Sequence, residues 1–398
     1  MIQQIPGISA IIPAAGLSTR MHKYKPLLKL GNLTIVEQTI SILKKSGIND
    51  IIVVTGHNRE QIEPIIQSAG ARPVFNKKFK TGMLGSIKTG VNALSSQCIG
   101  FLLLPVDIPL IRPSSIKTIL SAFNKTREHI IIPQFNDEPG HPPVIPAWLR
   151  SQILNLEENS NLGTLLLSLK QHIKKQTIHD QGIVMDADTQ DAYEKLKKRH
   201  STIDIPNKKE CHSIIHANLQ KETNIQSHVK LVADTAITLA MAVQKKIDKK
   251  KRQNLDFNPN LNLDLIYAGA LLHDIKRKEE NHAAKGAGYL LSLGFPKVAD
   301  IVAQHMDLTL PLLDSLTETQ IVYFADKLCN SADIELDYSR RFNEKIRQSQ
   351  NSKNDIKNII LQRYKHTKLI QTKIENICNR SVKSILQDNS DNLKTDIY

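Results

Sequence analysis

Apolar residues in the first half of the chain form short unbroken runs that alternate with segments of helical periodicity. Residues 8–12, 51–55 and 101–107 are runs of the kind found in strands buried on both faces. Residues 33–45 and 84–94 instead repeat apolar side chains at helical spacing. The other predicted elements are a helix over 59–67 and a strand over 73–75. This alternation predicts an α/β domain of Rossmann-like type, with a mostly parallel sheet between layers of helices.

Strand signals nearly vanish after residue 212, where the pattern becomes helical. Apolar residues recur at helical spacing as far as residue 328, which predicts an all-α second domain. The predicted helices cover residues 229–243, 263–272, 283–293, 298–305 and 319–328.

A polar, lysine-rich stretch beginning near Lys197 separates the two patterns and is typical of a linker. At 398 residues the chain also exceeds the usual size of one domain. We expect His212 and His216 to be linker or surface residues. The predicted division is a first domain over 1–198, a linker over 199–222, a second domain over 223–335 and a helical extension over 336–398, disordered after Asp388.

Composition narrows the choice of partners. The net charge of +14 would suit nucleic acid, an anionic membrane or phosphorylated small molecules, but much of the excess lies in lysine-rich helical stretches, which favours a solvated surface. One tryptophan and 5% aromatic residues argue against a surface that stacks on nucleic-acid bases. Four scattered cysteines fit a reducing compartment. With no signal-peptide pattern and no membrane-length apolar run, we expect a cytoplasmic protein without membrane or nucleic-acid partners.

The loop after the first predicted strand has the composition of a phosphate-binding site. Ala14, Ala15 and Gly16 allow the backbone to approach a ligand, and Ser18 can donate to phosphate oxygens. Arg20 and Lys25 then add positive charge to this loop. The planar guanidinium of Arg20 can bind two phosphate oxygens, whereas the ammonium of Lys25 acts as a point charge.

Asp107 comes at the end of the third predicted strand, at the same sheet edge as the Gly16 loop. A carboxylate beside a phosphate site can hold Mg²⁺. An aspartate that begins a turn before Pro109 is the simpler interpretation of this residue taken alone.

Several segments together resemble the molybdenum cofactor nucleotidyltransferases, within the fold of the nucleotide-sugar pyrophosphorylases. These segments lie within roughly residues 5–198 and follow one another in the same order as in that family. The matching segments are residues 14–21 with Lys25 and residues 27–28, then 55–57, 82–87, 104–109, 140–143 and 186–189.

The resemblance implies transfer of a nucleotidyl group from an NTP to a substrate phosphate. It implies that Arg20 and Lys25 hold the triphosphate, that Asp107 and Asp188 bind Mg²⁺, and that the segment from Gly82 to Ser86 contacts the base or ribose. Asp186 is the alternative to Asp188. Ala14, Ala15, Gly16 and Ser18 would form the nucleotide-binding loop.

Within this resemblance, the loop sequence Ala14-Ala15-Gly16 favours CTP over GTP, because the guanylyl-transferring branch of the family has a Gly-Gly pair at this point. The resemblance therefore implies CTP and molybdopterin as substrates, with molybdopterin cytosine dinucleotide and pyrophosphate as products. The chain departs from the family at His22, where a glycine is usual, so the loop loses the freedom to adopt a positive φ. A sugar phosphate or alditol phosphate is the alternative acceptor.

The second domain carries histidines and aspartates spread over several predicted helices. Single histidines on helices are usually packed or surface residues, but this set resembles, in order, the HD-domain metal-dependent phosphohydrolases. Imidazole and carboxylate ligands of this kind suit a divalent transition metal such as Mn or Fe. Lys276 stands where the subgroup often has glycine. The residues are His228, His273, Asp274, His282, His305 and Asp326.

The sequence thus predicts a bifunctional enzyme, a Mg²⁺-dependent cytidylyltransferase joined to an HD phosphohydrolase whose substrate the residues do not specify. A molybdenum hydroxylase such as xanthine dehydrogenase is a predicted partner. The alternative for the second half is a non-catalytic nucleotide sensor or a chaperone-docking module.

Overall fold

The computed structural model describes residues 7–16, 24–251, 261–309, 315–330, 333–349 and 354–390. Ser18, Arg20, His22 and the chain after residue 390, where the sequence predicts disorder, lie outside these residues. The chain forms two compact units, Met1–Ile203 and Asp204–Tyr398.

The first unit is built on a mixed, mostly parallel sheet, which confirms the predicted α/β class. Its strand order is β10-β7-β9-β6-β1-β4-β5, with β8 beside β7, while β2 and β3 form a separate antiparallel pair. β1 is parallel to both neighbours, and β9 runs antiparallel between β6 and β7. The strands are β1 (Ile8–Pro13), β2 (Lys29–Leu30), β3 (Leu33–Thr34), β4 (Asp50–Thr55), β5 (Arg72–Phe75), β6 (Gly100–Leu103), β7 (Ile130–Phe135), β8 (Glu138–Pro139), β9 (Val144–Pro146) and β10 (Ile173–Thr177).

Helices cover both faces of this sheet, and each face has its own apolar core. α1 begins with a capping box in which Thr34 and Glu37 exchange hydrogen bonds. α3 packs against β1 through Gly90, where a Cβ would lie 2.4 Å from the Ile11 side chain. The helices are α1 (Ile35–Lys45), α2 (Arg59–Ser68), α3 (Met83–Asn92), α4 (Pro113–Lys125), α5 (Arg150–Leu154), α6 (Leu162–Ser168) and α7 (Gln190–His200).

The single tryptophan of the chain, Trp148, lies in the first unit, in the short turn after β9. Its indole N–H donates to the carbonyl of Glu128 at 3.1 Å. The ring is 40% exposed and meets His172 edge-on, with 5.4 Å between ring centroids.

The second unit is helical in its described residues, apart from one isolated bridge between Cys329 and Ile334, and this confirms the predicted all-α class. Its helices share one apolar core. They are α8 (Lys208–Leu219), α9 (Thr223–Lys251), α10 (Leu263–Leu272), α11 (His282–Ser292), α12 (Pro296–Gln304), α13 (Glu318–Leu328), α14 (Tyr338–Gln348), α15 (Asn354–Cys378) and α16 (Val382–Ser390).

Two sequence expectations differ from the structure. The predicted linker contains α8, which starts with a capping box at Asn207 and buries Cys211 and Ile214 in the core of the second unit. His212 and His216 lie on its exposed face. The strand predicted over 101–107 ends at Leu103, because Pro105 has no N–H to continue a ladder. None of the described helices combines the length and the apolar character needed to cross a membrane.

Candidate nucleotide site and candidate metal centre

The Gly16 loop and the Asp107 segment leave the sheet side by side at the carboxyl ends of β1 and β6. The N–H of Ala14 donates to Val54 at 2.9 Å, and the N–H of Val106 donates to the carbonyl of Pro13 at 3.3 Å. Ala14 and Ala15 are buried, whereas a Cβ on Gly16 would meet no heavy atom within 4 Å. No described residue therefore crowds the loop at Gly16.

Lys25 lies between the two carboxylates that the sequence predicts to bind Mg²⁺. Its Nζ is 2.6 Å from Oδ1 of Asp188 and 3.8 Å from Oδ2 of Asp107. The alternative, Asp186, accepts a hydrogen bond from the N–H of Asp188 at 3.0 Å through its Oδ1. The structure thus brings Lys25, Asp107 and Asp188 together from three separate parts of the chain.

The electrostatics of this group favour a cation. Burial raises the pKa of Asp107; the nearby charge of Lys25 opposes this, and Asp188 adds repulsion. Carboxylate oxygens are the ligands that Mg²⁺ prefers, and the side chains of Asp107 and Asp188 are 26% and 41% exposed. Asp107 and Asp188 fit a Mg²⁺ ion and are the residues that would hold it.

A buried ion pair links the segments that carry the two carboxylates. Arg112 and Asp180 are 2.7 Å apart (Nη1 to Oδ1), with side chains 4% and 3% exposed. Asp180 Oδ2 also accepts from the N–H of Arg112 and from Ser115, each at 2.7 Å. The N–H of Ala187 then donates to the Asp107 carbonyl at 2.9 Å. Sequence reasoning missed this pair, because neither residue belongs to a motif.

The predicted base and ribose contacts lie at the start of α3. Gly82 precedes the helix with a φ of +104°, in the region that favours glycine, and a Cβ there would meet nothing within 4 Å. Ser86 is buried, and its hydroxyl accepts from Nδ2 of Asn76 at 3.2 Å. Gly82 is therefore open to a ligand, whereas Ser86 positions Asn76 from inside the unit.

The second unit brings all six predicted metal ligands together. They form two groups, each with its ligand atoms within 4.8 Å of one another. Five of the six side chains come from helices or helix ends, and Asp274 is the second residue after α10. The first group is His228, His273 and Asp326, and the second is Asp274, His282 and His305.

Asp274 connects the two groups, because its two oxygens face different histidines. Oδ2 lies 3.5 Å from Nε2 of His273 and 3.9 Å from Nε2 of His228. Oδ1 lies 3.3 Å from Nε2 of His282 and 3.4 Å from Nε2 of His305. Such a carboxylate can bridge two metal ions.

Backbone carbonyls orient three of the histidines. Nδ1 of His273 lies 2.7 Å from the carbonyl of Ala270, and Nδ1 of His305 lies 2.7 Å from that of Val302. His228 makes the same contact with Asn330 at 3.0 Å. A proton on Nδ1 leaves the Nε2 lone pair for a metal, as is usual for histidine ligands.

Two buried atoms of this cluster have no hydrogen-bond partner among the described residues. They are Nε2 of His273 and Oδ1 of Asp274. A buried polar group without a partner carries a large desolvation cost, and a coordinated cation would remove it. With imidazole and carboxylate donors, the cluster fits divalent transition metals.

The charges compensate one another across the cluster. Burial lowers the pKa of His273, but the carboxylates of Asp274 and Asp326, each 3.5 Å from its Nε2, outweigh this effect and raise the pKa to about 10. Burial raises the pKa of Asp274 and Asp326, but their cationic and imidazole neighbours hold both well below the usual range. The two carboxylates are therefore ionised and ready to receive a metal.

Lys276 points away from the cluster. Its Nζ lies 4.7 Å from the ring centroid of Tyr289 and 3.4 Å from Glu279. The lysine at the position where the subgroup often has glycine therefore leaves the six ligands undisturbed.

The metal centre opens into a cleft of about 350 Å³ that sequence reasoning did not foresee. Asp274 and Asp326 lie on its floor, and cationic side chains line its walls. Only Arg277 and Lys327 are close in sequence to predicted ligands. The cationic residues are Arg277, Lys327, Arg341, Lys345 and Arg363.

The chain thus combines an α/β unit that has a candidate nucleotide site with a helical unit that carries a histidine–aspartate cluster. Residues 10–174 match the MobA-like NTP transferase domain, and residues 225–331 match the HD domain. The first match lies in the first unit and the second match in the second unit.

Curated relatives and solved structures give further similarities. The molybdenum cofactor cytidylyltransferase of Escherichia coli is 28% identical over 198 residues, which cover 49% of this chain and 98% of that protein. A choline-phosphate cytidylyltransferase of Streptococcus pneumoniae is 39% identical over 77 residues, 18% of this chain and 34% of that protein. The solved structure of a nucleotidyl transferase from Methanothermobacter is 20% identical, with a TM-score of 0.44 over 50% of this chain and 99% of that one.

Proposed function

We propose that the first unit transfers a cytidylyl group from CTP to molybdopterin, and that the second unit is a metal-dependent phosphohydrolase. The observation that carries the first part is the position of Lys25 between Asp107 and Asp188 at the carboxyl edge of the sheet. CTP is supported by two relatives that are both named cytidylyltransferases. Molybdopterin is supported by the relative that the match covers almost completely.

In the transfer, a phosphate oxygen of the acceptor bonds to the α-phosphorus of CTP. The bond from that phosphorus to the bridging oxygen breaks, and pyrophosphate leaves with the bonding electrons. Lys25 would neutralise charge on the triphosphate, and Arg20 would hold its oxygens. Asp107 and Asp188 would hold Mg²⁺, which stabilises charge on the phosphoryl oxygens when bound.

In the second unit, water would add to a phosphorus while an ester or anhydride P–O bond breaks, and a proton from that water would reach the leaving oxygen or the solvent. The six ligands would hold Mn²⁺ or Fe²⁺. Such ions polarise phosphoryl oxygens and lower the pKa of water when bound. The chain's own contribution is the fixed orientation of three imidazoles through backbone carbonyls.

The test of the first activity is pyrophosphate release by the full chain with Mg²⁺, molybdopterin and each of the four NTPs. We expect CTP to be preferred and Asp107→Ala to abolish the release. Asp191→Ala is the matched control, because Asp191 is an exposed carboxylate in the first turn of α7. A preference for GTP, or full activity in Asp107→Ala, would contradict the proposal.

A different acceptor is the second candidate, because the Streptococcus pneumoniae relative is named for choline phosphate. Choline phosphate, a sugar phosphate and an alditol phosphate belong in the same assay. Pyrophosphate release with one of these compounds and none with molybdopterin would identify a different acceptor and would still support cytidylyl transfer. Under the principal proposal, a molybdenum hydroxylase such as xanthine dehydrogenase would receive the finished cofactor.

The second activity is tested by metal content and hydrolysis of a phosphoester panel with Mn²⁺ or Fe²⁺. We expect bound metal and hydrolysis in the full chain, and the loss of both in His273→Ala. A chain that binds no transition metal and hydrolyses nothing would favour a non-catalytic nucleotide sensor or a docking module.

A further inference from the structure

The helices that follow the HD match supply much of the wall of the metal cleft. The match ends at residue 331. Beyond it, α14 contributes Arg341, Phe342 and Lys345 to the cleft, and α15 contributes Ile360 and Arg363. Three of the five cationic side chains in the cleft therefore come from outside the matched domain.

These three cations differ in how they are held. Arg363 is clamped by Asp307, with Nε–Oδ1 and Nη2–Oδ2 distances of 2.7 and 2.6 Å. Arg341 donates to backbone carbonyls, including that of Cys329 at 3.3 Å. The side chain of Lys345 makes no hydrogen bond or ion pair with any other described residue. Two arginines are thus fixed in the wall, and one lysine is available to a ligand.

The cations repel one another in the absence of an anion. Desolvation by the cleft walls, and then the charges of Arg341, Lys327 and Arg363, lower the pKa of Lys345. Five cationic side chains and two carboxylates line the cleft, and both carboxylates belong to the metal centre. Lys327 is paired with Asp326, and Arg363 is paired with Asp307 outside the lining. A ligand with several negative charges would relieve this repulsion.

The cleft also has an apolar part and a limited size. Ile225, Met306, Phe342 and Ile360 share the lining with the charged residues. A volume of about 350 Å³ falls in the usual range of small-molecule sites, roughly 300–1,000 Å³. An inorganic anion would leave the apolar side chains uncovered, so the ligand must have an organic part.

We propose that α14 and α15 form the specificity wall of the metal centre, which takes an organic compound carrying two or more linked phosphoryl groups. Arg341, Lys345 and Arg363 contact the phosphoryl groups that are not attacked, while the metal centre receives the reacting one. Ile225, Met306, Phe342 and Ile360 contact the organic part. This inference rests on the proposed phosphohydrolase activity and names its substrate class.

The test is steady-state hydrolysis by the full chain with Mn²⁺, using CMP, CDP, CTP, a dinucleoside diphosphate and pyrophosphate. No phosphate acceptor is added, so the first unit does not consume CTP. We expect the organic di- and triphosphates to exceed CMP and pyrophosphate in kcat/KM by about tenfold or more. A tenfold difference corresponds to about 1.4 kcal/mol, which one charge-assisted hydrogen bond can supply.

The decisive variant is Lys345→Met, which keeps most of the side-chain stem and removes the charge. It should raise KM for CTP about tenfold and leave kcat within about twofold, because Lys345 contacts non-reacting groups. Lys368→Met is the matched control, since Lys368 is exposed on α15, lies over Tyr364 and does not line the cleft. CMP used as well as CTP, or an unchanged KM in Lys345→Met, would overturn the inference.

A binding measurement separates this inference from the phosphohydrolase activity itself. Calorimetry with Mn²⁺ and a non-hydrolysable CTP analogue should show a binding event that is about tenfold weaker in Lys345→Met than in Lys368→Met. That result without turnover would keep the specificity wall and reject the hydrolysis. Hydrolysis of phosphoesters with identical binding in both variants would reject the wall and keep the hydrolysis.

Discussion

The two candidate sites are built on different kinds of backbone. In the first unit, Asp107 and Asp188 lie in two loops and share Lys25 as their neighbour, whereas the candidate ligands of the second unit lie in helices or close to their ends. The imidazoles of the second unit are oriented by backbone carbonyls before any ion binds. The carboxylates of the first unit are held by a counter-cation and by a buried ion pair behind them. Under the proposed functions, the helical site would bind its metal alone, and the loop site would bind a metal together with a charged substrate.

The largest expected effect comes from Asp274→Ala. Since each oxygen of Asp274 faces a different ligand group, its removal should abolish metal binding at both positions and all hydrolysis. Bound metal is measured by mass spectrometry, and nucleotidyl transfer should be unchanged. Asp300→Ala, an exposed carboxylate on α12, should keep its metal. Full metal content in Asp274→Ala would mean that the carboxylate does not connect the groups.

Lys25→Met tests the loop site. We expect kcat for nucleotidyl transfer to fall about 10²–10³-fold, because a preorganised charge at the reacting phosphates is lost. Hydrolysis by the second unit should not change. Lys29→Met, at an exposed lysine nearby, is the control. Equal transfer rates for the two variants would remove Lys25 from the site.

Asp180→Ala tests whether the buried ion pair of Arg112 and Asp180 stabilises the fold of the first unit. Breaking one partner of a buried pair costs about 3–5 kcal/mol, because the other charge is left buried. Urea unfolding of the first unit should shift by about this amount. Glu158→Ala breaks the exposed pair with Lys78 and should leave the unfolding midpoint nearly unchanged. Similar midpoints for the two variants would contradict a structural role of the pair.

The smallest expected effect is that of chelation. With free Mn²⁺ at about 100 times its Kd, the second unit gains about 2.7 kcal/mol over the metal-free state. Adding a chelator should lower the unfolding temperature of the second unit, followed by circular dichroism, and leave the first unit unchanged. The shift should vanish in Asp274→Ala. If it persists there, the ion binds elsewhere.

The sequence predicts the fold where apolar patterns are long. The run over 51–55 and the helix over 263–272 match β4 and α10 closely, because β4 is almost fully buried and α10 buries six of its ten residues. The pattern is weaker for β9, which has only three residues and runs against its neighbours. α8 was assigned to a linker although Cys211, Ile214 and Leu219 follow helical spacing, because lysines and histidines interrupt the run.

The candidate site residues likewise differ in how far the sequence alone predicts them. The six candidate metal ligands could be named from sequence because their order along the chain resembles that of the HD-domain phosphohydrolases, and the structure brings them into two groups. Arg341, Lys345 and Arg363 could not, because they lie on amphipathic helices where basic residues are ordinary surface positions. Only the packing of α14 and α15 turns them towards the cleft.

Trp148 gives the chain an intrinsic optical label. Because it is the only tryptophan and lies in the first unit, beside His172, emission excited selectively at indole follows that unit and is silent on the helical one. Far-ultraviolet ellipticity, in contrast, is dominated by helices and follows both units. The order in which the two signals disappear on heating therefore reports which unit melts first, without labelling or truncating the chain.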